Sequence, residues 1–178
     1  MKILFVTSEV YPLIKTGGLA DVSGSLPTAL QALGQDVRLL IPGYIPVLDK
    51  LKNILTVASF TVFPGQPEVK LLSAKMPNTG VPVYVLDAPQ YFCRVDGPYQ
   101  YELGGDWPDN AMRFGMLSKV AALLGSAASP IAWQADIVHC NDWQSGLAPA
   151  YLQMVPDLHA KSVMTIHNIA FQGNFDSD

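Results

Sequence analysis

Short continuous apolar runs, each ended by turn residues or a polar loop, constrain the fold of this chain more than any other feature. Residues 3–6 read as a central parallel strand, buried on both faces. Residues 37–41 give a second buried strand, stopped by Pro42 and Gly43. Residues 83–86, 137–139 and 162–166 are further short strands, with helical stretches between several of them. Strands that alternate with helices argue for a mostly parallel sheet covered on both faces, an α/β doubly wound fold.

The intervening elements follow from local chemistry. A helix is expected over residues 19–33, stopped at Gly34, with a kink or a restart near Ser25 because Pro27 lies inside it. Residues 54–63 and 68–76 are β-rich and separated by Pro64-Gly65-Gln66-Pro67, which signals an inserted β-hairpin. Residues 87–108 are rich in Pro, Gly and Tyr, lack periodicity, and read as a long surface loop. Asp109 is placed to cap a helix reaching about residue 127, with Met112, Met116, Leu117, Val120 and Leu124 along one face. A short helix over 145–154 precedes the last strand. Residues 1–178 amount to one domain, without repeats. The sequence stops about a dozen residues after the last strand, where such a fold normally continues into a helix. A fragment of a longer protein is the expectation.

Composition narrows the partners. With 11 basic and 15 acidic residues, a formal charge of −4 and no basic run, the chain lacks a nucleic-acid footprint. No apolar stretch approaches the ~18 residues of a membrane span. The apolar start ends at Thr7-Ser8-Glu9, too soon for a signal peptide. Cys93 and Cys140 are too few for a disulfide framework and read as reduced thiols of a cytoplasmic protein. Charged residues make up only 15% of the chain, against about a quarter in typical domains. That deficit points to surface covered by another domain or by self-association.

Three signatures carry the chemistry: Lys15-Thr16-Gly17-Gly18-Leu19-Ala20-Asp21, Asn141-Asp142-Trp143-Gln144-Ser145-Gly146-Leu147 and His167-Asn168-Ile169-Ala170-Phe171-Gln172-Gly173. Each follows a strand, and in an open α/β sheet such loops share one carboxyl edge where ligands bind. Lys15, Asp142 and His167 are therefore expected to converge. The first loop, residues 8–17, exceeds the usual two to six residues between strand and helix, and long loops are often functional. Lys15 beside Gly17 and Gly18, ahead of a helix start, suits a sugar-diphosphate; the plain alternative is a flexible turn with a solvated lysine. The pattern is neither a Gly-x-Gly-x-x-Gly nor a Walker loop. Asp142 suits sugar hydroxyls, and the Trp143 indole suits sugar C–H faces; equally, Asp142 or Asn141 is a candidate helix cap. His167 is the best candidate for contact with a reacting sugar, since His139 closes a strand and His159 falls in a surface loop. A zinc set of His139, Asp142 and His167 lacks the usual ligand spacings, so no metal is assigned. Tyr91, Phe92, Tyr99 and Tyr101 crowd the long loop, either as a sugar platform or folded back onto the domain.

Together these residues resemble the amino-terminal half of bacterial glycogen synthases and plant starch synthases, essentially from Met1 to the end. The likeness includes Ser8-Glu9-Val10-Tyr11-Pro12, the Lys15 signature, Asp109-Asn110 with Arg113-Phe114, Asn141-Asp142-Trp143 with Gly146-Leu147-Ala148-Pro149, and the His167 signature. Many bacterial members carry His-Asp-Trp-His in the middle motif; this chain has Asn141 and Gln144 there, and neither is assigned a catalytic role. The resemblance implies the GT-B architecture, two Rossmann-like domains with the active site between them. It also implies retaining transfer of glucose from ADP-glucose to the non-reducing end of an α-1,4-glucan, without a metal or other cofactor. By resemblance, Lys15, Gly17 and Gly18 approach the sugar-diphosphate, and Asp142 and Trp143 border the glucose and acceptor subsites. His167 contacts the transferred glucose, and its backbone carbonyl would stabilise an oxocarbenium-like transition state. His167 and Asp142 are thus the catalytic candidates, with Asp21, Asn168 and Tyr99 added to the substrate-binding set. The nucleotide pocket and further phosphate-binding cations belong to a carboxyl-terminal domain that this sequence lacks. The alternative is a carbohydrate- or nucleotide-binding module of the same fold that performs no transfer.

Overall fold

The computed structural model describes residues 1–102, 104–156 and 158–175. The chain runs β1 (Lys2–Val6), α1 (Leu19–Ala32), β2 (Asp36–Pro42), α2 (Ile45–Lys50), β3 (Leu55–Phe60), β4 (Val69–Lys75), β5 (Pro82–Asp87), α3 (Pro89–Phe92), α4 (Asn110–Leu124), β6 (Ile137–Asn141), α5 (Ala148–Gln153) and β7 (Lys161–Thr165). The strands make one sheet in the order β3-β4-β5-β2-β1-β6-β7. From β5 to β7 every pairing is parallel, whereas β3 and β4 run as an antiparallel hairpin and β4 is antiparallel to β5. The hairpin of the 54–76 region therefore extends the same sheet. The α/β doubly wound reading holds.

β1 sits inside this sheet because Leu4, Phe5 and Val6 are fully buried between its two helical layers. Each such side chain contributes roughly 1.5–3 kcal/mol when buried, which is why so short an apolar run reads clearly as a strand. The chain moves one way from β1 to β2 and later places β6 on the other side of β1. The β1/β6 junction is the point where loops diverge and a crevice opens at the carboxyl edge. At the opposite, amino edge, Asp36 accepts hydrogen bonds from Arg38 Nε (3.1 Å) and Trp133 Nε1 (2.9 Å), with the Arg38 guanidinium 4.6 Å from the Trp133 ring centre.

Several local expectations are corrected. α1 is continuous from Leu19 to Ala32, with no restart at Ser25; Pro27 is buried on the same stripe as Leu19, Ala20 and Ser23, so its ring is a core group. α2 was not anticipated, being only six residues long and carrying Pro46 in its first turn. The 87–108 region is not simply a surface loop. It contains α3, whose Phe92 is fully buried 5.6 Å from Tyr44 and 6.4 Å from Phe114, ring centre to ring centre. Asp109 precedes α4 but makes no side-chain cap, because its carboxylate accepts from Arg94 instead. α4 ends at Leu124, short of residue 127, and Met112 is exposed rather than on the buried face. The 145–154 helix divides into a single 3-10 turn (Trp143–Ser145) and α5, interrupted at Gly146-Leu147.

α4 also buries an arginine. Arg113 donates from Nε to Tyr91 O (2.8 Å) and from Nη1 to Asn110 Oδ1 (2.6 Å), with the Phe92 and Phe114 rings each 5.3 Å from its guanidinium. It pins the α3 segment down onto α4. Burial lowers its pKa from the usual arginine range.

Candidate functional site

The loops after β1, β6 and β7 leave the same carboxyl edge and enclose a cleft of about 830 Å³. Thr16, Gly17 and Gly18 line it from the first loop, Asp142, Trp143 and Gln144 from the second, and His167, Asn168 and residues 170–175 from the third. Tyr99 and Asp106 close it from the segment between α3 and α4.

The first loop is long but not loose. Val10 and Leu13 are fully buried, and Val10 and Ile14 exchange backbone hydrogen bonds of 3.2 and 3.0 Å. Glu9, 3% exposed, organises the rest. Its carboxylate accepts from the Thr16 backbone N–H, Thr16 Oγ1 (2.6 Å), the Gly17 N–H (3.1 Å) and the Tyr99 hydroxyl (2.7 Å). A buried carboxylate is tolerable when several donors satisfy it. An added Cβ at Gly17 or Gly18 would meet nothing within 4 Å, so the space over both glycines is open to a ligand.

Lys15 departs from the expectation of a cation standing ready for an anion. Its Nζ lies 2.7 Å from both carboxylate oxygens of Asp21, and neither residue lines the cleft. Their side chains are 47% and 57% exposed, and pairs that exposed contribute only ~0–1 kcal/mol. A pairing this weak does not commit the ammonium to Asp21.

Tyr99 presents its ring to the cleft while its hydroxyl bonds Ser8 Oγ (2.7 Å) and Glu9. Burial, followed by the neighbouring Tyr44 and Glu9, holds that hydroxyl's pKa well above the usual tyrosine range. Tyr91, Phe92 and Tyr99 thus fold back onto the domain, whereas Tyr101 packs 5.5 Å from Trp107.

In the second loop Asp142 adopts φ 55°, ψ −180°, a region nearly reserved for glycine. Such backbone costs about 1–3 kcal/mol and persists only where its surroundings impose it. Here the Asp142 N–H donates to Thr165 O (2.9 Å), and Asp142 Oδ1 accepts from the His167 N–H (2.7 Å). The helix-cap alternative fails for Asp142, which makes no capping bond. It fails for Asn141 too, whose side-chain oxygen lies 3.0 Å from His167 Nε2 instead of meeting a helix N–H. Trp143 is packed edge-on to Phe114 (4.9 Å) and Phe175 (5.6 Å). Gly173, at φ +62°, lies over the indole so closely that a Cβ there would come within 2.5 Å of the ring.

His167 is held through both backbone and ring, the ring by Asn141 Oδ1, 3.0 Å from Nε2. Asn168 lines the cleft and bonds the Ala170 N–H through its side chain (3.0 Å). His139 does not line the cleft; its Nε2 contacts Thr165 Oγ1 at 2.8 Å, and burial, then the nearby His167, lower its pKa. Among the described residues no His, Cys, Asp and Glu cluster has the geometry of a metal site. Sequence reasoning gave Glu9 no role of its own and Asn141 only that of a candidate helix cap, yet they shape the first loop and orient the histidine. For each the only signal was a polar residue at the carboxyl end of a buried strand.

The lining combines hydrogen-bonding side chains and carboxylates with apolar groups such as Leu19, Val22, Phe171 and Phe175, with no Lys or Arg among the described residues. Such a lining has the chemistry to hold a ligand that carries both hydroxyl groups and apolar faces. The comparisons with known proteins agree in kind. A family model described as the starch synthase catalytic domain matches residues 2–178. The glycogen synthases of Nitrosomonas eutropha and Nitrosospira multiformis are 55% and 51% identical over the whole of this chain, which covers 36% of each. The chain thus spans about a third of the length of these relatives. The catalytic domain of starch synthase IV from Arabidopsis thaliana, bound to ADP and acarbose, superposes with a TM-score of 0.71 at 27% identity, over 96% of this chain and 34% of that one. The sheet order, the three loops at one edge and the match along nearly all the sequence lead to one conclusion: this chain belongs to the starch synthase catalytic domain family.

Proposed function

We propose that this chain is the acceptor-side domain of a retaining glucosyltransferase, which transfers glucose from ADP-glucose to the non-reducing end of an α-1,4-glucan. The convergence of the Gly17-Gly18, Asp142 and His167 loops on one cleft is the observation that carries the reading. Asp142 and His167 would border the transferred glucose, with the His167 carbonyl beside the developing positive charge at the anomeric carbon. Lys15, released from Asp21, would meet the diphosphate from the side. The remaining phosphate contacts fall to a second domain, and preorganised donors on both sides of the leaving group are what such a transition state needs. Ile166, Ile169 and Phe171, all exposed, are surface for that domain to cover; without it they favour self-association. Two free cysteines, Cys93 and Cys140, suit a cytoplasmic enzyme. The absence of Lys and Arg from the described lining keeps one other reading in play, a carbohydrate- or nucleotide-binding module without transfer.

The test is ADP release from ADP-glucose with a glycogen primer. The 178-residue chain alone releases none, because one domain cannot hold donor and acceptor together. In the full-length protein His167→Ala lowers kcat and kcat/KM together, by ~100-fold or more, the signature of lost transition-state stabilisation. Sustained elongation by the short chain alone overturns the two-domain reading, and an inactive full-length protein that still binds glucan favours the binding module.

A further inference from the structure

We propose that Asn141 is a positioning residue for His167, fixing the imidazole as the Nε2–H tautomer and leaving Nδ1 as its hydrogen-bond acceptor. The inference rests on the reading of His167 as the residue that meets the transferred glucose.

The geometry leaves one assignment. Asn141 is fully buried at the end of β6. Its Nδ2 donates to Val6 O at 3.0 Å and to His139 O at 3.2 Å. Backbone carbonyls can only accept, so the nitrogen of this amide must face them and its two hydrogens are both engaged. The remaining atom, Oδ1, can only accept, and it lies 3.0 Å from His167 Nε2. That nitrogen must therefore carry the hydrogen. In a neutral imidazole the other nitrogen is then a bare acceptor. Nδ1 of His167 has no hydrogen-bond partner among the described residues, and His167 lines the cleft.

The hold is reinforced from the same loop. Asp142, next in sequence, fixes the His167 backbone through its N–H, so consecutive side chains grip main chain and ring. The groups around the ring are then Asn141, the Asp142 carboxylate and His139, whose own Nε2 contacts Thr165. An acceptor nitrogen at this position suits a donating sugar hydroxyl. A donor nitrogen there would bond a hydroxyl oxygen and an unprotonated phosphate oxygen alike, whereas the acceptor requires a partner that carries a hydrogen. Asn141 thereby sets which chemical partner the histidine recognises.

Long-range ¹H–¹⁵N correlation spectra of the histidine-labelled 178-residue chain near neutral pH read the tautomer directly. They require no turnover, so failure of the glucosyltransferase reading leaves this test intact. The expected pattern for His167 is two widely separated nitrogen signals with the protonated one at Nε2. In Asn141→Ala the two signals move toward a common averaged position as the tautomers mix. An Nδ1–H pattern in the wild type overturns the proposal, as does an unchanged His167 pattern in folded Asn141→Ala. If the alanine variant does not fold, the wild-type pattern decides, with Nε2–H supporting the proposal and either Nδ1–H or a mixture refuting it.

Discussion

The first and third loops of the cleft do neighbouring jobs by opposite means. The loop after β1 is built around a buried charge, with Glu9 collecting donors from two backbone groups and two side chains. Among its described residues the loop after β7 has no such centre. It is anchored near its start by Asp142 and Asn141 on His167, then lies over Trp143 at Gly173, while Ile169 and Phe171 between them face solvent. A carboxylate hub makes a wall that is formed before any ligand arrives. Two separated anchors make a wall whose middle can be displaced, which suits the side where a partner domain must close.

The difference can be broken most forcefully at Glu9. Glu9→Ala leaves buried donors of the first loop without a partner and is expected to cost about 3 kcal/mol of folding stability, read from urea unfolding midpoints. A loss below about 1 kcal/mol would mean the hub is ornamental. Gly173→Ala comes next. Its positive φ and the collision with the indole make it unfavourable by about 1–2 kcal/mol locally. Because the segment is peripheral, the expected response is release of residues 173–175, seen as a changed Trp143 emission with a nearly constant unfolding midpoint. A large drop in the midpoint would show that the third loop is as integral as the first. Lys15→Ala is the smallest, within about 0.5 kcal/mol of wild-type stability, since its pairing with Asp21 is solvent-exposed. In the full-length enzyme the same change lowers turnover, and normal turnover would leave the lysine a solvated surface group.

Much of the frame was legible because its signals are local. Pro64-Gly65-Gln66-Pro67 between two β-rich runs marks the hairpin whatever surrounds it, and the apolar run of β1 needs no partner to be recognised. What stayed hidden depends on residues distant in sequence. Asp109 has the chemistry of a cap, but Arg94, fifteen positions earlier, claims its carboxylate. The segment holding Phe92 and Tyr99 has no period because each anchor finds a different neighbour, Tyr44 and Phe114 for one and Glu9 for the other. For the site, the three loops and their shared edge were readable from strand–loop order. The partner of each side chain was not: Lys15 holds Asp21 beside the cleft, and Asn141, read as a candidate helix cap, holds the histidine instead.

The clasp of Asp36, Arg38 and Trp133 at the amino edge gives this protein an internal optical control. Trp133 is 5% exposed and stacked under a fixed guanidinium, while Trp143 lines the cleft and Trp107 follows Asp106, a lining residue, under the Arg94 guanidinium. The strands between those edges are roughly 15 Å long. A chain keeping only Trp133 would report the integrity of the sheet, and one keeping only Trp143 would report ligand entry and the arrival of a second domain. Emission from the first should stay silent when sugar is added and vanish as a native signal only on global unfolding. Occupancy and stability thereby become separable colours of the same molecule.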